Sequence, residues 1–347
     1  MLLPEHPFRR GRDVKGLYQV LVSMVVVVTA ASLAVPLVPS SFPGAPLAQP
    51  PPVSPAQSDF TEFAVPANST PTHVDTGFGF VWVSAIESGS VLRLDPDTGD
   101  VATYAIPVAD AGPCGLVVGM GRVWFMTVVG KLGRLTPSTG AIDLYDVPGG
   151  FDIRHPDVGF GSVWFVAIFN ASVGRYTPST GTFTMYPLES DALPTEVAAG
   201  LGSVWYTDRG RNTIGRINPN TDAITEYAIP TANAGPYGIT VAFGRVWFVE
   251  RTAGQVASFN PASETFTEYD VPGAGNLGFG FITQGGSSIW YTRSTTNRIG
   301  QLDPNTGDVV EHDVPTSGAF LHSIRFGFGA LWFAEAGVNQ VGRLPLE

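Results

Sequence analysis

From about residue 60 to the end, apolar and polar positions alternate in short runs, and Gly, Pro, Asn or Asp interrupts each run. Alternation with a period of two is the mark of a strand with one buried face, and the interruptions are turn signals. The runs themselves recur. Trp82, Trp124, Trp164, Trp205, Trp247, Trp290 and Trp332 are spaced by 42, 40, 41, 42, 43 and 42 residues, each preceded by Val, Ile or Leu. About ten residues after a tryptophan comes an alternating run ending in proline, such as Val91–Pro96, Leu132–Pro137, Val173–Pro178, Ile214–Pro219 or Ile299–Pro304. A further strand follows, as in Ile224–Pro230, and Gly235-Pro236-Tyr237-Gly238-Ile239 typifies the opening of the next unit. Each unit of about 41 residues therefore predicts four short strands, A to D, with the tryptophan on B.

Four-stranded repeats of this length predict an all-β, seven-bladed β-propeller, because a single blade cannot bury both of its faces. Gly 41 and Pro 29 argue against the helical repeats of similar period. The strand D aromatics or His run Tyr104, Tyr145, Tyr186, Tyr227, Tyr269 and His312, one short of seven, and the chain ends on a C strand. The missing copy is Phe63 in Thr61–Pro66, so the N-terminal strand is expected to close the last blade and remove an open edge. The seven tryptophans read as structural, one packing between each pair of blades.

Composition sharpens the address. Net charge is −11 and only Lys15 and Lys131 are lysines, which excludes a basic nucleic-acid surface. Arg9, Arg10, Arg12 and Lys15 precede an uncharged apolar run from Gly16 to Val38. Residues 1–38 are expected to be either a signal peptide or a transmembrane anchor, residues 39–58 a Pro-rich flexible spacer, and residues 59–347 the propeller. The chain is then extracytoplasmic, secreted or membrane-anchored. A single cysteine, Cys114, rules out an intramolecular disulfide framework. Asp95, Asp97 and Asp100 look faintly like a calcium loop, but the next repeat has no carboxylate there, and turn chemistry explains both.

Function belongs where one repeat departs from the others. Nine or ten residues before the tryptophan, at the start of strand A, stand His73, Cys114-Gly115, Arg154-His155, Glu196, Tyr237-Gly238, Gly280-Phe281 and His322-Ser323. Three residues after it stand Ala85, Thr127, Ala167, Asp208, Glu250, Arg293 and Glu335. Antiparallel pairing brings both series to one mouth of the central channel. A histidine with nearby carboxylates is a general acid/base or a cation site; a hydrated polar funnel is the plain reading. The nominations are His322 and Glu335 as catalytic, Glu250 and Glu335 as metal ligands, and Tyr237, Arg293, His73, His155 and Glu196 as substrate-binding.

The unit Pro-x-Gly-Ile, Val-Trp-Phe, Ile-Gly-Arg-Ile-x-Pro resembles the repeat of the streptogramin lyases, or virginiamycin B lyases. It is carried by Gly235–Ile239, Val246-Trp247-Phe248 and Ile214–Pro219, and the likeness spans residues 59–347. The resemblance implies a magnesium-dependent carbon-oxygen lyase that linearises a cyclic depsipeptide by elimination, with His322 and Glu335 matching the family's strand A His and post-tryptophan Glu. Tyr237 stands where the pattern has another His, and Phe320 where it has a substrate-binding Glu. The leading expectation is an exported binding or scaffold module for a small molecule, peptide or cell-envelope component. The alternative is the lyase.

Overall fold

Each inner hairpin is set by a two-residue turn. Phe78 and Gly79 lie at φ of +56° and +81°, the left-handed pair that matches the twist of the flanking strands. The computed structural model describes residues 59–346 apart from 151 and 274. These residues form seven four-stranded antiparallel sheets, in the first of which Pro71–Gly77, Phe80–Ala85, Ser90–Leu94 and Val101–Ala105 pair in chain order. The last sheet is Leu321–Gly327, Ala330–Glu335 and Gln340–Pro345 completed by Thr61–Ala64, with Phe63 opposite Val341. The fold is thus a seven-bladed β-propeller whose first strand closes the last blade. Backbone donors and side chains reinforce the clasp: Val65 N–H donates to the Asn339 carbonyl at 3.0 Å, and Thr316 Oγ1 donates to Glu62 at 2.6 Å.

The tryptophans are at most 4% exposed. Every indole N–H donates to the carbonyl of the residue five positions earlier, at 3.0–3.2 Å, so the polar atom of a large apolar group is satisfied in all seven blades. The strand D ring then covers the indole, as Tyr186 does over Trp164 at 5.5 Å and Phe63 over Trp332 at 5.6 Å.

Strand C carries glycine for a steric reason. A Cβ at Gly174 would lie 2.1 Å from the Phe165 ring, which crosses strand C at that point. In the first blade the glycine is Leu92, and the residue paired with it is Val83 instead of an aromatic. Glycine at the end of strand A serves close approach between blades, since a Cβ at Gly77 would fall 2.5 Å from Val118 of the next blade.

No helix among the described residues is long and apolar enough to cross a membrane, which overturns the transmembrane expectation for that part of the chain. The apolar run 16–38 and the spacer 39–58 lie outside the described residues.

Candidate functional site

Strand A begins with a register shift in six blades, for example between Pro71 and His73, between Arg154 and Asp157, and between Leu321 and Ile324. A bulge adds a residue and re-aims side chains. At these bulges His73, His155 and His322 converge on the propeller axis. The His73 ring lies 4.8 Å from His155 and 5.1 Å from His322. Phe281 packs against all three at 4.8–5.3 Å, and Tyr237 against His155 and Phe281 at 6.0 and 5.5 Å. Phe279 stacks on His322 at 5.3 Å, and Arg251 lies over Tyr237 at 5.4 Å. The three imidazoles are 4–5% exposed, so the mouth is plugged by rings instead of forming an open polar funnel.

Burial dominates the electrostatics of this plug. It pushes His155 and His322 down to about 3 and His73 well below its ordinary value, and the positive charge of Arg154 adds to the effect on all three. All three imidazoles are neutral at pH 7. The Thr72 carbonyl beside His322 partly offsets the effect of burial, and Nδ1 has no hydrogen-bond partner. A neutral ring whose Nδ1 has no partner is a candidate proton acceptor.

The post-tryptophan series goes elsewhere. Glu335 pairs in register with Leu321, next to His322, yet its carboxyl lies over Gly342 and faces Glu62 on the outermost strand. Glu250 likewise faces Glu268. Burial and then the second carboxylate push Glu250 and Glu335 up to about 8. Arg293 is the variation on this theme, its Nη1 donating to both oxygens of Glu311 at 2.9 and 2.8 Å and Nη2 to the Gly273 carbonyl at 3.0 Å. Asp208 accepts from the Leu193 and Gly210 N–H groups at 2.8 and 2.9 Å and shapes a loop. Alternation along strands A and B explains the divergence: neighbours in register share a sheet, but His322 faces the axis and Glu335 faces along the blade.

Two further nominations resolve simply. Glu196 accepts from the Ile239 N–H of the next blade at 3.1 Å, and burial lifts its carboxyl to about 8. Cys114 donates to the Ile153 carbonyl at 3.2 Å, and burial raises its thiol to about 12, which leaves it inert. The structure therefore brings His73, His155, His322 and Tyr237 together, leaves Glu196 near Tyr237 but engaged by Ile239 N–H, and turns Glu250, Arg293 and Glu335 away from them. Sequence reasoning passed over Phe279 at this mouth and, although Arg154 stands in the strand A series, nominated neither Arg154 nor Arg251.

Comparison with known proteins now carries weight. The Virginiamycin B lyase family model matches residues 243–347. A selenomethionine form of virginiamycin B lyase from Staphylococcus aureus is 28% identical, with a TM-score of 0.76 over 83% of this chain and 99% of that one. The chain is homologous to the virginiamycin B lyases. A streptogramin B lyase structure gives 29% identity and the same TM-score over 83% and 97% of the two chains. A catalytically inactive histidine-to-alanine variant of the S. aureus lyase with quinupristin gives 27% identity, again at 0.76, over 83% of this chain and 99% of that one. The extracellular domain of a one-component system from B. thetaiotaomicron, 15% identical at a TM-score of 0.63, shares the fold alone. No curated protein sequence matches the chain.

The resemblance carried by the repeat implies magnesium, a hard cation that takes oxygen ligands. Among the described residues, no group of three or more His, Cys, Asp or Glu is placed to hold a metal ion. The mouth offers imidazoles and aromatic rings. Glu250 and Glu335 stand in different blades, each facing one other glutamate. The residues present do not fit the ion, which corrects the expectation of magnesium on Glu250 and Glu335.

Proposed function

We propose that the chain is an exported carbon-oxygen lyase of the virginiamycin B lyase type, acting at the histidine mouth on a cyclic depsipeptide or a related ester. The observation that carries this reading is the unpartnered Nδ1 of His322, beside the Thr72 carbonyl and flanked by His73 and Phe281. The inactive histidine variant of the similar S. aureus lyase supports it.

In an elimination, His322 Nδ1 takes the proton alpha to a carbonyl. The electron pair forms a carbon–carbon double bond, and the ester C–O bond breaks with its electrons leaving on the carboxylate. No water is consumed. The positive field of Arg154 and Arg251 at the same mouth favours the developing negative charge. Phe279 and Phe320, whose rings meet at 5.8 Å, give an apolar ring-shaped substrate something to lie against.

The test is purified full-length protein incubated with quinupristin, with and without added magnesium, followed by chromatography and mass spectrometry. Elimination yields a linear product of unchanged mass, whereas hydrolysis adds one water. Replacing the base, His322→Ala, is expected to slow ring opening by a factor on the order of 10²–10⁴. Turnover unaffected by that change refutes the role of His322. A second reading, a binding module without turnover, is favoured by the separation of Glu250 and Glu335 from the imidazoles. It predicts quinupristin or a related peptide bound and recovered intact.

A further inference from the structure

A third irregular position lies seven residues before each tryptophan and directly opposite it in register. It reads Asp75, Val117, Asp157, Ala198, Thr240, Thr283 and Arg325. Two residues or so beyond the histidine bulge, these side chains line an axial cavity of about 250 Å³ at the A–B turn end of the inner strands. The histidine plug stands at the other end of the same strands.

The acidic members have structural work. Asp75 accepts from the Val118 N–H of the next blade at 2.6 Å and from Thr76 N–H at 2.8 Å. Asp157 repeats this with Ala199 at 2.7 Å and Val158 at 2.8 Å. Inner strands have a free edge facing the axis, and these carboxylates satisfy its donors from blade to blade. Burial raises both carboxyls above the ordinary aspartate value, and two backbone donors apiece, with the charge of Arg325, act against that rise.

Arg325 has no such task. Where its blade meets the first, the inner-edge bond is made by Ser323, whose Oγ accepts from Val74 N–H at 2.7 Å. The guanidinium feels the attraction of Asp75, Glu196 and Asp157, yet among the described residues it makes no ion pair or hydrogen bond. A charge placed in a protein's axis without a close partner is costly unless something else supplies one. Arginine's planar fork matches a carboxylate.

We propose that this cavity binds a free α-amino acid with an apolar side chain, its carboxylate on Arg325 and its ammonium between Asp75 and Asp157. A simple anion would face two carboxylates, and a simple cation would face Arg325; a zwitterion satisfies both. The volume corresponds to roughly eight waters at ~30 Å³ each, which suits one amino acid. At this end of the ring the A–B turns expose Phe78, Met120, Phe160, Leu201, Phe243 and Phe328, each 42–48% exposed and each at positive φ. Bulky residues at positive φ are strained, and Asn or Asp would be the easier choice for a turn alone. An apolar rim around a charged floor favours a ligand with an apolar side chain.

The proposal stands apart from the lyase reading, and its test does not depend on it. Calorimetric titration of the full chain with L-leucine and L-phenylalanine is expected to show binding. N-acetyl-L-leucine, which lacks the ammonium, and L-leucinamide, which lacks the carboxylate, are each expected to bind at least tenfold more weakly. Arg325→Gln is expected to lose the same factor or more, while His322→Gln retains amino-acid binding. No binding of either amino acid at millimolar concentration overturns the proposal, as does equal binding of the blocked ligands. The ligand comparison on the unaltered protein decides the matter even if Arg325→Gln fails to fold.

Discussion

Glu335 illustrates how far a buried residue's chemistry depends on what lies across from it. Its carboxyl is fully buried, neither oxygen has a hydrogen-bond partner, and it faces Glu62. Its folded pKa of about 8 stands above the ordinary 4.5, so the unfolded chain releases the proton first as pH rises. Stability from this group is therefore intact below pH ~4.5 and lost progressively toward pH 8. Glu335→Gln removes the titration while keeping the shape and adding a donor toward Glu62. It is expected to stabilise the protein at pH 8 by about 1–3 kcal/mol, against a ceiling of about 5 kcal/mol for the full shift, and to change little at pH 4.5. Urea denaturation at the two pH values checks this, and equal effects at both would show that the pair does not share its charge in this way. The sequence could place Glu335 near His322 in register, and did. Which way each side chain turns from the shared ladder is decided by the bulge ahead of Ile324.

At the scale of the blade, the coupling between strands B and C is a rule written in pairs. Gly133, Gly174, Gly215, Gly300 and Gly342 each lie under an aromatic ring of strand B, and a Cβ at any of them would approach that ring within about 2 Å. Leu92 opposite Val83 is the alternative solution of the same packing problem. Gly174→Leu is expected to cost 3 kcal/mol or more on the order of severe overpacking. Combined with Phe165→Val, which recreates the first blade's pair, more than half of that loss should return. A double-mutant cycle by thermal or chemical unfolding measures the coupling, and simple additivity would sink the idea. This pairing was visible in the repeat as the Gly-Arg step, but its reason was not. Only the overlap of the ring with strand C explains the glycine in these five blades; the fifth blade departs from the rule, with Ala257 opposite Phe248.

The molecule as a whole sets two opposing sets of titrations against each other. His73, His155 and His322 are held below 6.5, so stability from them is present above that value and lost as pH falls, for His155 and His322 toward about 3. Glu196, Glu250 and Glu335 are lifted from 4.5 to about 8, so stability is lost as pH rises through that window. Between pH 4.5 and 6.5 the extra protons on the unfolded imidazoles, His312 included, oppose those on the folded carboxyls, to which Asp75, Asp157 and Asp208 add. The melting temperature of the full chain is expected to be highest within that window and to fall on both sides. A maximum at pH 8 would contradict the environment assigned to these side chains.

Periodicity alone determined the architecture. Seven tryptophans at a nearly constant interval give the number of blades, and a missing strand D copy gives the clasp, because both follow from the requirement that each sheet face and each edge be covered. The candidate site was half legible. His73, His155, His322 and Tyr237 stood out because they interrupt a repeat at the place where strand A meets the axis, and there they meet. Glu250, Arg293 and Glu335 interrupt it equally, but three residues past the tryptophan a side chain faces strand D of its own blade. Arg325, Asp75 and Asp157 lay in a third irregular series whose convergence appears only when seven inner strands stand around one axis. Sequence fixes what recurs, since recurrence is one-dimensional. Which irregular side chains meet depends on the face each strand turns to the axis, and that is settled in three dimensions.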